Sequence, residues 1–164
     1  LSRVYTLGPV FRAEKSMSPK HLSEFLMLEA EEAFVTSLDQ LLNRVETMCK
    51  FFAFYLERNC AADLEYLRQQ NDGYSLGAAI YDGPYARLTY EEAVRILSKT
   101  DQFKDCFQGS EPANLNAQME RTLVEAMDNR PVFVTHFPMS MKPFYMKSFG
   151  DKVRRLQRQP QKKS

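Results

Sequence analysis

Two hydrophobic periods alternate along the chain, and they predict its elements. From Val4 to Glu14 apolar and polar positions alternate, which predicts a strand, with Gly8-Pro9 tolerated at a bend or an edge. Ser23 to Val35 repeats the pattern, with Phe25, Met27, Glu29 and Glu31 on one side and Leu26, Leu28 and Ala30 on the other. The polar stretch 15–20, KSMSPK, joins the two, so the pair reads as an antiparallel hairpin with a long tip. The period then changes to that of a helix. Ser37 with Gln40 three residues on has capping-box spacing, and Leu38, Leu41, Leu42, Val45, Met48, Cys49, Phe52 and Leu56 mark one face. That stripe reads as core.

Residues 70–88, with Gly73, Gly77, Gly83 and Pro84, read as a loop holding a short strand. Thr89 and Glu92 open a short helix, TYEEAVRIL, with Ala93, Ile96 and Leu97 facing inward. The stretch 101–113 is irregular. Leu115, Met119, Leu123 and Met127 predict a third helix that stops near Asn129-Arg130-Pro131. PVFVTHFP (131–138) and KPFYMK (142–147) read as two short strands around a turn, with Phe144 and Tyr145 assigned to packing. After Lys147 the character changes to polar and basic, so 148–164 reads as a disordered or weakly helical tail. The class is α+β: an antiparallel sheet flanked by helices.

Composition adds little to this. Hydrophobic content of 44% and charged content of 26% are ordinary for a folded domain. A net charge of +1 argues against a basic nucleic-acid surface over the whole chain, although from Lys147 onward there are seven Lys/Arg and one acid, Asp151. The three cysteines (Cys49, Cys60, Cys106) and two histidines (His21, His136) have no zinc-ligand spacing, and they read as reduced thiols without a disulfide framework. No apolar run has the length that spans a bilayer.

The chemistry concentrates in 11–31. Arg12 and Glu14 sit two apart and share a strand face, as do Phe25, Met27, Glu29 and Glu31. A face with an arginine, several carboxylates and an aromatic ring is costly to bury unless it lines a polar ligand site. A carboxylate attacking the α-phosphate of ATP meets anion–anion repulsion, which a fixed guanidinium bridging both groups relieves. Arg12 suits that task, Phe25 offers a stacking surface for adenine, and Lys20 and His21 reach toward distal phosphates. Glu29 accepts from an amide and repels a carboxylate. The loop residues from Ser16 to Pro19 could touch a nucleic-acid end. Each side chain alone also fits a plainer role. Arg12 with Glu14 or Glu29 makes a structural ion pair, Phe25 packs, His21 is a loop residue, Lys15 and Lys20 are solvated, and Glu29, Glu31 and Glu32 form the solvated face of an edge strand. The ordered combination favours the ligand site.

FRAE, then KHLSEF, then MLEAE resembles the second signature motif of class II aminoacyl-tRNA synthetases, in the subgroup that charges asparagine, aspartate or lysine. The MLEAE ending is most similar to the asparagine-charging branch. EEAFVTSLDQLLNRVE and PVFVTHFPMSMKPFYMK resemble that branch too, particularly its organellar form, and the likeness covers about 3–147. The resemblance implies a partial catalytic domain over 1–147 that activates asparagine with ATP to the adenylate and transfers it to tRNA. It implies that Arg12 contacts the ATP α-phosphate and the asparagine carboxylate, and is the catalytic residue. Glu14, Lys20, His21, Leu22 and Phe25 would line the ATP site, Glu29 would read the asparagine amide, and Ser16, Met17 and Ser18 would meet the tRNA end.

The sequence departs from the family pattern in several places. Lys20 stands where the family has arginine, keeping the charge but losing the fork. Around Gln118-Met119-Glu120 the family's acid-histidine-acid run is missing. By the same resemblance the anticodon-binding barrel and the first motif, which builds the family homodimer, would precede Leu1. The acidic magnesium-holding helix and the glycine-rich third motif would follow Lys147. None of the six glycines makes a G-x-G. Magnesium ligands are thus expected outside this chain, and the isolated chain is expected to be weakly active or inactive. It then serves alternatively as a non-catalytic form that binds ATP, tRNA or a full-length partner. Mitochondrial localisation follows from the resemblance, with the cytoplasm as the alternative.

Overall fold

The computed structural model describes residues 1–15, 21–70, 80–109 and 112–149. The loop calls on Ser16, Met17, Ser18 and Lys20, the glycines at 73 and 77, and the tail beyond 149 lie outside these residues. In chain order the elements are β1 (Arg3–Phe11), β2 (Glu24–Glu32), α1 (Leu38–Asn59), α2 (Ala61–Gln70), β3 (Ala86–Thr89), α3 (Tyr90–Leu97), α4 (Ala117–Ala126) and β4 (Val132–Thr135). Short 3-10 turns occupy Lys104–Phe107 and Met139–Met141. Two compact units divide the chain, Leu1–Val45 and Glu46 onward.

The first unit is the expected antiparallel hairpin. Its register runs without a break from Arg3↔Glu32 to Phe11↔Glu24, and the Arg12 amide donates to the Ser23 carbonyl at 2.9 Å, extending the ladder by one step. Gly8-Pro9 therefore makes neither a bulge nor a bend; both sit in regular register. At the far end Glu32 accepts from Arg3 at 2.7 Å and from Arg44 at 3.0 and 3.1 Å. The Arg44 hydrogen bond leads in holding the Glu32 carboxyl below the ordinary glutamate range, aided by Arg3. This ties the start of α1 to the hairpin. Ser37 Oγ caps the Gln40 amide at 3.3 Å, while the Gln40 side chain reaches back to the Thr36 amide at 2.9 Å, so the anticipated cap forms with its return bond one residue early.

The α1 stripe is not core, contrary to expectation. Leu38, Leu41, Met48, Phe52 and Leu56 are exposed, Leu42, Val45 and Cys49 are half-buried, and the buried positions of the helix are Glu46 and Ala53. Hydrophobic spacing alone marks a face without supplying its cover. The second helix, α2, went unread because AADLEYLRQQ buries only Leu64.

The second unit has its core where α3 and α4 meet β3 and β4. Ala93, Leu97, Phe103, Met119 and Leu123 are buried, with Leu88, Ile96, Phe107, Leu115 and Val134 packed around them. Thr89 Oγ1 accepts from the Glu92 amide at 3.2 Å, and the Glu92 carboxylate accepts from the Thr89 amide at 2.8 Å, completing the anticipated capping box. Asn116 caps α4 through the amides of Gln118 and Met119, each at 3.0 Å.

Two expectations fail here. β4 pairs in parallel with β3 (Ala86↔Val132 to Thr89↔Thr135) and not within an antiparallel sheet. The connection through α3 and α4 is a crossover, which returns a strand in the same direction. Residues 142–147 form no strand: Pro143 has no amide to give, and the Met146 amide turns back to its carbonyl at 3.1 Å. Phe144 and Tyr145 are 99% and 74% exposed, in a T-shaped pair, so the packing assignment does not hold.

A buried carboxylate anchors the start of this unit. Glu46 accepts from Lys50 Nζ at 2.7 Å and from the Tyr85 amide at 3.2 Å, with Arg87 at 3.5 Å. Lys50 also donates to the Gly83 carbonyl at 2.6 Å. Burial pushes the Glu46 carboxyl up, but the hydrogen bonds from Lys50, Tyr85 and Arg87 outweigh it and hold it below its ordinary value. The i,i+4 spacing of Glu46 and Lys50 was the available sequence signal.

Candidate functional site

Direct cross-strand partners share a face, so the register assigns every side chain of the hairpin. Val4, Thr6, Gly8 and Val10 lie on one face with Glu31, Glu29, Met27 and Phe25, and Arg12 continues that face beyond Val10. The other face carries Tyr5, Leu7, Phe11, Leu26 and Leu28, all exposed. The sequence thus separates an apolar side from a polar one, and the expected juxtaposition of Arg12, Phe25 and Glu29 on one face is present.

At the loop end three side chains cluster. Arg12 Nη1 lies 3.5 Å from Glu14 Oε1, and His21 Nε2 lies 3.9 Å from Glu14 Oε2, with each side chain about half exposed. The Arg12 guanidinium carbon sits 5.6 Å from the centre of the Phe25 ring. Leu22 is exposed. An exposed pair of this length contributes about 0–1 kcal/mol.

Four residues further along β2, Glu29 faces Thr6. Among the described residues its side chain has no hydrogen bond and no ion pair, and it is exposed. Arg12 and Glu29 stand six register steps apart, roughly 20 Å along the strands. The direct ion pair between Arg12 and Glu29 is thereby out of reach, which removes that plainer reading. The Glu29 carboxylate has acceptors only, so it welcomes an amide and opposes a second carboxylate.

Among the described residues no group of three or more His, Cys, Asp or Glu side chains could hold a metal ion. Cys49, Cys60 and Cys106 are free thiols, and no described helix is long and apolar enough to cross a membrane.

Comparison with known proteins gives this geometry a setting. The family model of class II tRNA synthetases (D, K and N) matches residues 1–163. The mitochondrial asparagine–tRNA ligase of Schizosaccharomyces pombe is 40% identical over 92% of this chain and 31% of its own length. Among solved structures, Entamoeba histolytica asparaginyl-tRNA synthetase in complex with asparaginyl-adenylate superposes with a TM-score of 0.70 at 27% identity, over 89% of this chain and 32% of that one. The aspartyl-tRNA synthetase of the same organism superposes as well, with a TM-score of 0.70 at 26% identity, over 88% and 29%. The chain spans about a third of the length of the relatives it matches.

Proposed function

Because this chain belongs to the class II tRNA synthetases (D, K and N), we propose that its hairpin binds asparagine and ATP for the adenylation that precedes transfer to tRNA. The observation that carries this reading is the placement of Arg12, Phe25 and a Glu29 with no ion pair among the described residues on one face of β1 and β2. The superposition scores do not separate asparagine from aspartate, since relatives of both kinds fit equally. Glu29 does separate them, because an aspartate side chain would bring a second anion against it.

Adenylation joins the asparagine carboxylate to the α-phosphorus of ATP as the bond to pyrophosphate breaks. Arg12 leaves its weak contact with Glu14 and bridges the attacking carboxylate and the α-phosphate, reducing their repulsion and stabilising charge on the phosphorus oxygens. Phe25 stacks on adenine and fixes the nucleotide, while Glu29 fixes the amide, so both reactants meet in one orientation. Glu14, Lys20, His21 and Leu22 border the nucleotide in this reading, and Ser16, Met17 and Ser18 border the tRNA end, where a terminal ribose hydroxyl takes the acyl group. The mitochondrial relatives support an organellar setting.

The test is an amide-shift titration of the 164-residue chain with a non-hydrolysable asparaginyl-adenylate analogue, a method that registers weak binding. Saturable shifts confined to the residues around Arg12 and from Phe25 to Glu29, lost in Arg12→Ala, support the proposal. Shifts absent, or spread over the second unit alone, contradict it.

A further inference from the structure

Gly8 lies at the centre of the site face, directly across from Met27. It is two register steps from the Val10↔Phe25 pair and two from the Thr6↔Glu29 pair, roughly 7 Å each way. A glycine inside a strand loses more backbone freedom on folding than other residues and offers nothing to pack, so its presence needs a cause. The usual causes are a bulge, a backbone angle that only glycine tolerates, a close neighbour within the protein, or a ligand.

Among the described residues three of these are absent. The pairing runs through Leu7↔Leu28, Gly8↔Met27 and Pro9↔Leu26 without an extra residue, so there is no bulge. Its φ is outside the left-handed region, unlike that of Gly83 at +72°. A Cβ built on Gly8 would meet no described atom within 4 Å. Backbone and packing therefore both accept a side chain at this position.

Resting on the adenylate reading above, we propose that Gly8 is the floor over which the acyl-phosphate link of the aminoacyl-adenylate crosses the sheet. Its missing side chain is the clearance that lets the ligand reach from Phe25 to Glu29. The placement follows from the ligand's own order: base at one end, amino-acid side chain at the other, and the bulky tetrahedral phosphorus between them. A methyl group at Gly8 would lift that middle off the sheet, while leaving the adenine end free to stack.

The experiment compares the full chain with Gly8→Ala and Gly8→Val, using adenosine and a sulfamoyl asparaginyl-adenylate analogue as probes, with Ala30→Val on the opposite face as control. Amide-shift titration is expected to show analogue affinity lower by about tenfold in Gly8→Ala and by more in Gly8→Val. Adenosine binding should match wild type in both variants, the thermal midpoint should lie at or above that of wild type, and Ala30→Val should change neither probe. Analogue affinity within about twofold of wild type in Gly8→Val would overturn the proposal. A midpoint lowered by either variant would also overturn it, since protein would then be filling the space. Wild-type protein that binds adenosine but not the analogue defeats the adenylate reading itself, and this inference with it.

Discussion

Arg12 Nη1 and Glu14 Oε1 lie 3.5 Å apart at the loop end of the hairpin, with about half of each side chain in water. The pair is too long and too wet to hold the fold, yet it parks a guanidinium beside an aromatic ring. Arg12→Ala and Arg12→Lys should both leave thermal unfolding within about 0.5 kcal/mol of wild type. Analogue affinity should fall about a hundredfold in Arg12→Ala and about tenfold in Arg12→Lys, because lysine keeps the charge but not the fork. Parallel melting curves and titrations check both halves, and a large loss of stability in either variant would make Arg12 a structural residue.

Stability of the second unit rests on α3 and α4. Leu97 and Leu123 are 0% and 1% exposed and face each other's helices in the core. Leu97→Ala and Leu123→Ala should each cost about 3 kcal/mol, read as a lower urea midpoint at unchanged slope. The double variant should lose less than the sum, since both truncations open one cavity.

Acid should weaken the chain through Glu46. Its carboxyl is held below the ordinary value of 4.5, since the hydrogen bonds from Lys50, Tyr85 and Arg87 outweigh the opposing effect of burial. A depressed value in the folded state gives stability that is fully present above the unfolded value. It is lost as pH falls below 4.5 through the folded one. Urea unfolding at pH 7 and pH 3.5 should differ clearly for wild type. Glu46→Gln should be less stable at pH 7 and show a smaller difference between the two, whereas an unchanged difference would assign the acid sensitivity to other carboxylates, Glu32 among them.

The local signals were legible because they are local. The period-two pattern of Phe25, Met27, Glu29 and Glu31 fixed which side chains share a face, and Thr89 with Glu92 fixed where α3 begins. What escaped depends on distant parts of the chain. The direction of β4 is set by the path through two helices, which PVFVT does not encode. The fate of the α1 stripe depends on what lies against it, and its spacing is silent on that. Glu46 reads as a surface glutamate until Tyr85 and Arg87, some forty residues on, close over it. The site face was readable in outline, and Gly8-Pro9 was read as tolerated at a bend or an edge; β1 is an edge strand of its two-stranded sheet, and only register and surrounding space show that no described residue requires the glycine.

The central claim is that Glu29 selects an amide over a carboxylate at the far end of the Arg12 face. Its most direct test is the ratio of affinities of the full chain for asparaginyl- and aspartyl-adenylate analogues, in wild type and in Glu29→Gln. Wild type should prefer the asparaginyl analogue by at least about tenfold, and Glu29→Gln should bring the two together by improving the aspartyl one. Equal binding of both analogues by wild type, or a ratio that Glu29→Gln leaves unchanged, would contradict the account.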